Sequence, residues 1–202
     1  HAAAFDDTRD ALAALRAAAL APGFACEPMT AVALLDDPLE QRAGIEGYVR
    51  RALPAPQSAP AFVRSPGTRL RVGYLSNDLH DHATAHLAAG LFESHDRTCL
   101  EVFAYATDRD DGSAMRARLR RAFEHWRDLR EFDDAAAATA IAADRVDVLV
   151  DLKGHTHGAR LAILARRPAP VQIHYLGFPG TLGYPGAIDA IVADAVVAPV
   201  GA

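Results

Sequence analysis

The chain has 202 residues, half of them hydrophobic, with a formal net charge of −5 and a pI near 6.0. That is material for one full domain and a smaller appendage, and its acidic balance argues against a general binder of nucleic acid or membrane surfaces. Cys26 and Cys99 stand far apart outside any CxxC pair and indicate neither a disulfide framework nor a cysteine zinc site. No run approaches the roughly 18 apolar residues that span a bilayer. No signal-peptide pattern opens the chain, and a soluble protein of the reducing cytoplasm is expected. Lys153 is the only lysine.

From Asp6 to Ala21 the positions Ala11, Leu12, Leu15 and Ala19 follow helical spacing, with Asp6 or Asp7 as cap and Pro22-Gly23 as a stop. A second helix begins at Asp37-Pro38-Leu39-Glu40, where Asp37 can cap, Pro38 suits the first turn and Glu40 occupies a capping-box position; it runs to about Ala52. The pair reads either as a fragment of a helical repeat array or as a simple helical cap. Residues 1–53 are thus a helical segment. Pro54, Pro56, Pro60 and Pro66 make 54–68 a linker, because proline removes a donor and restricts its neighbour.

Beyond it strand and helix signals alternate. Strands are expected at Leu70–Leu75, Glu101–Tyr105, Val146–Leu152, Val171–Leu176 and Ala190–Ala193, with a weaker one around Trp126–Leu129. Helices are expected at Thr84–Ser94, Ser113–His125, Asp133–Ala143 and Ala159–Arg166. Strands apolar on both faces and separated by helices give a parallel sheet covered on both sides. Residues 69–202 therefore read as a Rossmann-like, doubly wound α/β domain. It lacks the GxGxxG of a dinucleotide-binding first turn, which lowers the odds of a nicotinamide or flavin enzyme. On the helix expected at Ser113–His125, Met115, Leu119, Phe123 and Trp126 form the apolar stripe. Arg116, Arg118, Arg120 and Arg121 are then expected to be a solvated face.

Three loops follow strand ends, where a ligand crevice forms in an open α/β sheet. The first, SNDLHDHATAH, carries His80, His82 and His86. Three readings compete: a catalytic or acceptor-positioning group, a metal site, or polar residues closing a helix N-terminus. Metal is the weakest, with no evident carboxylate or cysteine completing a ligand set and no HEXXH. The second loop, Asp151 to Arg160 (DLKGHTHGAR), has Gly154 and Gly158 for close backbone approach, and Thr156 able to donate to a phosphate or sugar hydroxyl; helix capping is the alternative for Asp151 and Thr156. The third, Gly177 to Gly186 (GFPGTLGYPG), is too rich in glycine and proline for a helix and serves as a shaped wall or a structural turn.

Together LRVGYLSNDLHDHATAHL, EVFAYATDRDDG, DVLVDLKGHTHGAR and RRPAPVQIHYLGFPGTLG resemble, in this order, the N-terminal half of the catalytic region of the O-linked N-acetylglucosamine transferase and SPINDLY family. LLDDPLEQRAGIEGYVRRAL resembles the helices joining that family's tetratricopeptide repeats to its catalytic region. The resemblance implies a GT-B architecture and an inverting, metal-independent transfer of N-acetylglucosamine from UDP-N-acetylglucosamine to serine or threonine hydroxyls of proteins. It implies no cofactor beyond the donor, and as partners a protein or peptide acceptor, the UDP-sugar and a C-terminal GT-B domain, with neither nucleic acid nor membrane.

The resemblance places His82 near the acceptor hydroxyl as base or positioning group, with His86 the second histidine of that motif. It places Gly154, His155, Thr156 and Gly158 at the donor's sugar and phosphate, and Pro179, Gly180 and Thr181 in the cleft wall. Ala83 departs from the proline of the animal enzymes, and Lys153 and His157 occupy less constant positions that take no transferred role. The domain holding most uridine and diphosphate contacts, with its phosphate-neutralising lysine, lies outside these residues, so the chain reads as the acceptor-side half of a longer protein. A fucosyl-type SPINDLY relative, a sugar epimerase, or a non-enzymatic protein-binding module are the alternatives.

Overall fold

A computed structural model describes residues 2–18, 21, 23–62, 67–196 and 198, with side chains from residue 8 onward. It divides into two compact units, residues 1–55 with 179–184, and residues 56–178 with 185–202. In the first, helix α1 covers Ala2–Ala18, α2 Pro28–Leu34 and α3 Pro38–Ala52. Helix α1 starts ahead of Asp6 and Asp7, so neither is its cap. The expected stop at Pro22 lies outside the described residues. Helix α2 has no counterpart in the expectations above. Glu27 accepts the Thr30 N–H at 2.8 Å and Pro28 fixes the first turn, a start signal too local for periodicity to reveal. Helix α3 begins as its sequence dictates, with Asp37 Oδ1 accepting the Leu39 N–H at 2.7 Å. Ala31, Leu35, Ile45 and Val49 are buried within this unit, and Tyr184 donates its hydroxyl proton to Pro54 O. Burial pushes the Tyr184 hydroxyl up to about 12.

The second unit is a six-stranded, all-parallel sheet of order β3-β2-β1-β4-β5-β6. The strands are β1 (Leu70–Ser76), β2 (Leu100–Ala106), β3 (His125–Asp128), β4 (Val148–Asp151), β5 (Val171–Tyr175) and β6 (Ala190–Val192). Helices α4 (Ala83–Glu93), α5 (Ala114–Ala122), α6 (Asp134–Ala143) and α7 (Leu161–Ala165) alternate with them. The doubly wound parallel class therefore holds. Several elements are shorter than expected: α5 stops at Ala122 because the chain turns extended at Phe123, and α7 spans five residues.

One face of the sheet packs Val72, Tyr74, Val102, Ala104 and Val150 against Ala85, Ala88, Ala89 and Phe92 of α4 and Met115 and Leu119 of α5. The alanines of α4 let helix and sheet approach closely, and the rings of Tyr74 and Phe92 meet edge-on with centroids 4.9 Å apart. On β1, Gly73 leaves room for Tyr105: a Cβ there would lie 2.5 Å from Tyr105 Cε2. Burial, followed by Asp144, raises the Tyr105 hydroxyl far above the ordinary phenol range, and that hydroxyl donates to Asp144 Oδ2 at 3.0 Å.

At the amino ends of the strands, Arg69 pairs with Glu124 at 2.8 Å, Arg71 and His125 with Glu101 at 3.0 and 2.9 Å, and the Arg71 N–H donates to Asp147 at 2.8 Å. Charges thus fix strand register on the floor of the sheet, and the carboxyl ends are left to the loops.

Candidate functional site

Between β1 and β4 the strand order reverses, and at such a point the loops leaving adjacent strands separate and open a crevice. The first and second loops identified in the sequence leave these two strands, and the structure joins them. Leu152 N–H donates to Leu75 O at 3.1 Å, and Asn77 Nδ2 to His157 O at 3.4 Å. Gly158 takes φ +77°, and a Cβ on it would sit 2.0 Å from Asn77 Nδ2, so this approach needs glycine.

Each of the three histidines stands beside a carboxylate, two of them within hydrogen-bond distance. His80 Nδ1 lies 2.7 Å from Asp108 Oδ2, a residue delivered from the end of β2, and His86 Nε2 lies 2.7 Å from Asp81 Oδ1. His82 is the N-cap of α4: its Nδ1 accepts the Thr84 N–H at 3.2 Å and stands 3.5 Å from Asp78 Oδ2. The helix-closing reading of this loop is thus realised at His82, yet the side chain remains 43% exposed and able to meet a ligand. Carboxylates do stand beside the histidines: Asp78 and Asp81 lie in the same loop, and Asp108, which the local sequence could not show, arrives from the end of β2. Among the described residues, no group of three or more His, Cys, Asp or Glu is arranged to hold a metal ion.

In the second loop, Asp151 is buried and its carboxylate accepts the N–H groups of Lys153 at 3.2 Å and Gly154 at 2.7 Å. Thr156 donates its hydroxyl proton to Lys153 O at 2.9 Å. Neither residue caps a helix, since α7 starts only at Leu161 and Arg160 precedes it without a side-chain cap. Their hydrogen bonds instead shape a turn in which Gly154 has φ +57°. The Thr156 hydroxyl keeps its acceptor lone pairs while donating inward. Asp151 Oδ2 also lies 2.8 Å from Nδ1 of His174, a fully buried residue of β5 whose Nε2 is 3.3 Å from both N and O of Phe178. Phe178 meets the ring of His155 edge-on at 5.4 Å. Sequence reading passed over His174, because a histidine inside an apolar strand gives no local sign of a partner 23 residues earlier.

Pro179, Gly180 and Thr181 belong to the other unit, where Thr181 Oγ1 accepts the Gly183 N–H at 3.2 Å. Lys153, set aside in the sequence, is buried against Asp78 at 2.7 Å. Arg116 corrects the solvated-face expectation: it is 1% exposed, donates to Asp108 Oδ2 at 2.7 Å and Leu79 O at 3.2 Å, and lies 5.1 Å from the Trp126 ring. Arg118, on the same helix, makes an exposed fork with Glu93 at 2.7 Å.

Residues 54–202 match the model of glycosyl transferase family 41. The chain belongs to glycosyl transferase family 41. It is 42% identical over 142 residues to a UDP-N-acetylglucosamine--peptide N-acetylglucosaminyltransferase of Caenorhabditis elegans, covering 70% of this chain and 12% of that protein. It is 41% identical over 131 residues to the probable enzyme SEC of Arabidopsis thaliana, covering 65% of the chain and 13% of that protein. Among solved structures, a Thermobaculum terrenum O-GlcNAc transferase mutant superposes with TM-score 0.72 at 36% identity, over 83% of this chain and 33% of that one. The chain thus spans about an eighth of these curated relatives. The family 41 match takes in both strand-end loops and all three histidines with their neighbouring carboxylates. No helix among the described residues is long and apolar enough to cross a membrane.

Proposed function

We propose that the complete protein transfers N-acetylglucosamine from UDP-N-acetylglucosamine to serine or threonine hydroxyls of proteins, with inversion and without a metal ion. In this reading residues 69–202 are the acceptor-side half of a GT-B cleft, residues 1–53 end a tetratricopeptide-like region, 54–68 link the two, and a C-terminal GT-B domain binds most of the nucleotide. The protein acts in the cytoplasm. The observation that carries the proposal is the placement, within the family 41 match, of His82 and the Gly154–Gly158 turn on neighbouring loops at the strand-order reversal.

His82 and His86 serve the acceptor hydroxyl. The backbone around Gly154, His155, Thr156 and Gly158 faces the donor's sugar and phosphate, and Pro179, Gly180 and Thr181 wall the cleft. In the complete protein His82→Ala is expected to abolish transfer while leaving UDP affinity nearly intact; unchanged turnover would sink the assignment. A donor screen with UDP-N-acetylglucosamine and GDP-fucose tests the sugar: transfer from GDP-fucose alone replaces this reading by a fucosyltransferase, and partner binding with no transfer replaces it by a binding module.

A further inference from the structure

The site as described leaves one buried ion pair without a task. Lys153 Nζ lies 2.7 Å from Asp78 Oδ2, with side chains 8% and 7% exposed. Burying two ions is costly, and an apolar pair of similar volume would hold the two loops at least as well. What the pair controls is the carboxylate oxygen beside His82. That same Oδ2 is 3.4 Å from Thr84 Oγ1 and 3.5 Å from His82 Nδ1, while the Thr84 N–H is 3.2 Å from the same Nδ1.

A backbone amide only donates, so its bond to Nδ1 requires a lone pair there, and a neutral ring then carries its proton on Nε2. A carboxylate only accepts, so a bond from His82 to Asp78 requires the proton on Nδ1. For the neutral imidazole the two arrangements exclude one another. Lys153, by neutralising Asp78 at 2.7 Å, makes Oδ2 a weaker acceptor for a proton on Nδ1, and with the Thr84 N–H nearer to Nδ1 (3.2 Å) than Oδ2 is (3.5 Å), it tips the ring toward the arrangement in which Nδ1 accepts.

We propose that the Asp78–Lys153 pair is a positioning device that fixes His82 in the tautomer protonated on Nε2, so that the ring presents a hydrogen-bond donor to a substrate oxygen. The proposal rests on the reading of His82 given above and refines it from "base or positioning group" to donor. The other titratable groups near this ring are engaged elsewhere: His80, with its ring centroid 5.8 Å away, pairs with Asp108, and Asp81 pairs with His86. The positive N-terminus of α4 also disfavours a proton on the capping Nδ1.

The test uses the full-length protein with 15N-labelled histidine rings, the His82 signals being assigned by their loss in His82→Gln. At pH 8.5 the ring nitrogens report the tautomer without any need for turnover. The wild-type protein is expected to carry the proton on Nε2. Lys153→Met frees Asp78 and should raise the ratio of Nδ1–H to Nε2–H at least tenfold. Asp78→Asn combined with Lys153→Met leaves no buried charge and should return the ring to Nε2–H. A wild-type proton on Nδ1, or a ratio unchanged in Lys153→Met, overturns the proposal. Where the single variant fails to fold, the wild type and the double variant decide it. If His82→Ala retains transfer, the functional reading of His82 fails and the tautomer result still stands, so the two failures are distinguishable.

Discussion

Replacing Arg116 by methionine removes a guanidinium that is 1% exposed from a carboxylate that is 5% exposed. Breaking a buried pair by deleting one partner costs about 3–5 kcal/mol, because the remaining charge stays buried. Leu79 O also loses its 3.2 Å donor, worth about 1 kcal/mol. Against this, His80 Nδ1 at 2.7 Å still donates to Asp108, which places the net loss near the lower bound, about 3 kcal/mol. With a urea dependence of about 2 kcal/mol per molar, the unfolding midpoint should fall by about 1.5 M. Trp126 is the only tryptophan and lies 5.1 Å from the Arg116 guanidinium, so its fluorescence follows the unit that holds the pair. Two controls sharpen the test. Arg118→Met breaks a pair whose side chains are 42% and 41% exposed and should cost under about 1 kcal/mol. Arg116→Met with Asp108→Leu removes both buried charges and should recover to within about 1 kcal/mol of wild type. If Arg116→Met costs no more than Arg118→Met, the burial argument is wrong.

Gly158→Ala puts a Cβ 2.0 Å from the Asn77 amide at φ +77°; a loss of about 1–2 kcal/mol in thermal unfolding is expected, together with weaker UDP-sugar binding by the complete protein. Wild-type binding in that variant would separate the turn from the donor. His95 has its pKa lowered, first by burial and then by Arg97, while the unfolded chain titrates near the ordinary 6.5. Below that value the unfolded state binds more protons, so stability should fall as pH drops from about 6.5 through the folded value. His95→Gln should flatten that slope between pH 7.5 and 5.5 in urea titrations, and parallel slopes in the two proteins would refute it. His174→Phe cuts the link from Asp151 to Phe178. It should lower transfer by the complete enzyme while leaving peptide-acceptor affinity, measured separately by fluorescence anisotropy, little changed; loss of folding in circular dichroism would instead mark it as structural.

The sheet was legible because β1, β2 and β4 are apolar on both faces, a pattern that only a doubly covered parallel strand needs. The strand-end loops were legible for the same reason, since their place follows once the strands are known. What stayed hidden is pairing at a distance. Lys153 was conspicuous as a lone lysine, but its partner Asp78 is 75 residues earlier. Arg116 fits a solvated face by helical spacing, and its burial against Asp108, just beyond the end of β2, is not visible in that spacing. Asp151 and Thr156 carry the residue types of helix caps, and the delayed start of α7 turns the same hydrogen-bonding capacity to shaping a loop. The seven-residue α2 is too short for a periodic signal.

The separation of the charged floor at the amino ends of the strands from the loops at their carboxyl ends divides the work of natural selection in space. Arg69, Arg71, Glu101, Glu124 and Asp147 can be exchanged for other register-fixing sets, as a lineage adapts to heat or salt, without disturbing a side chain at the opposite rim. An engineer seeking a hardier variant has the same freedom and would begin at the floor.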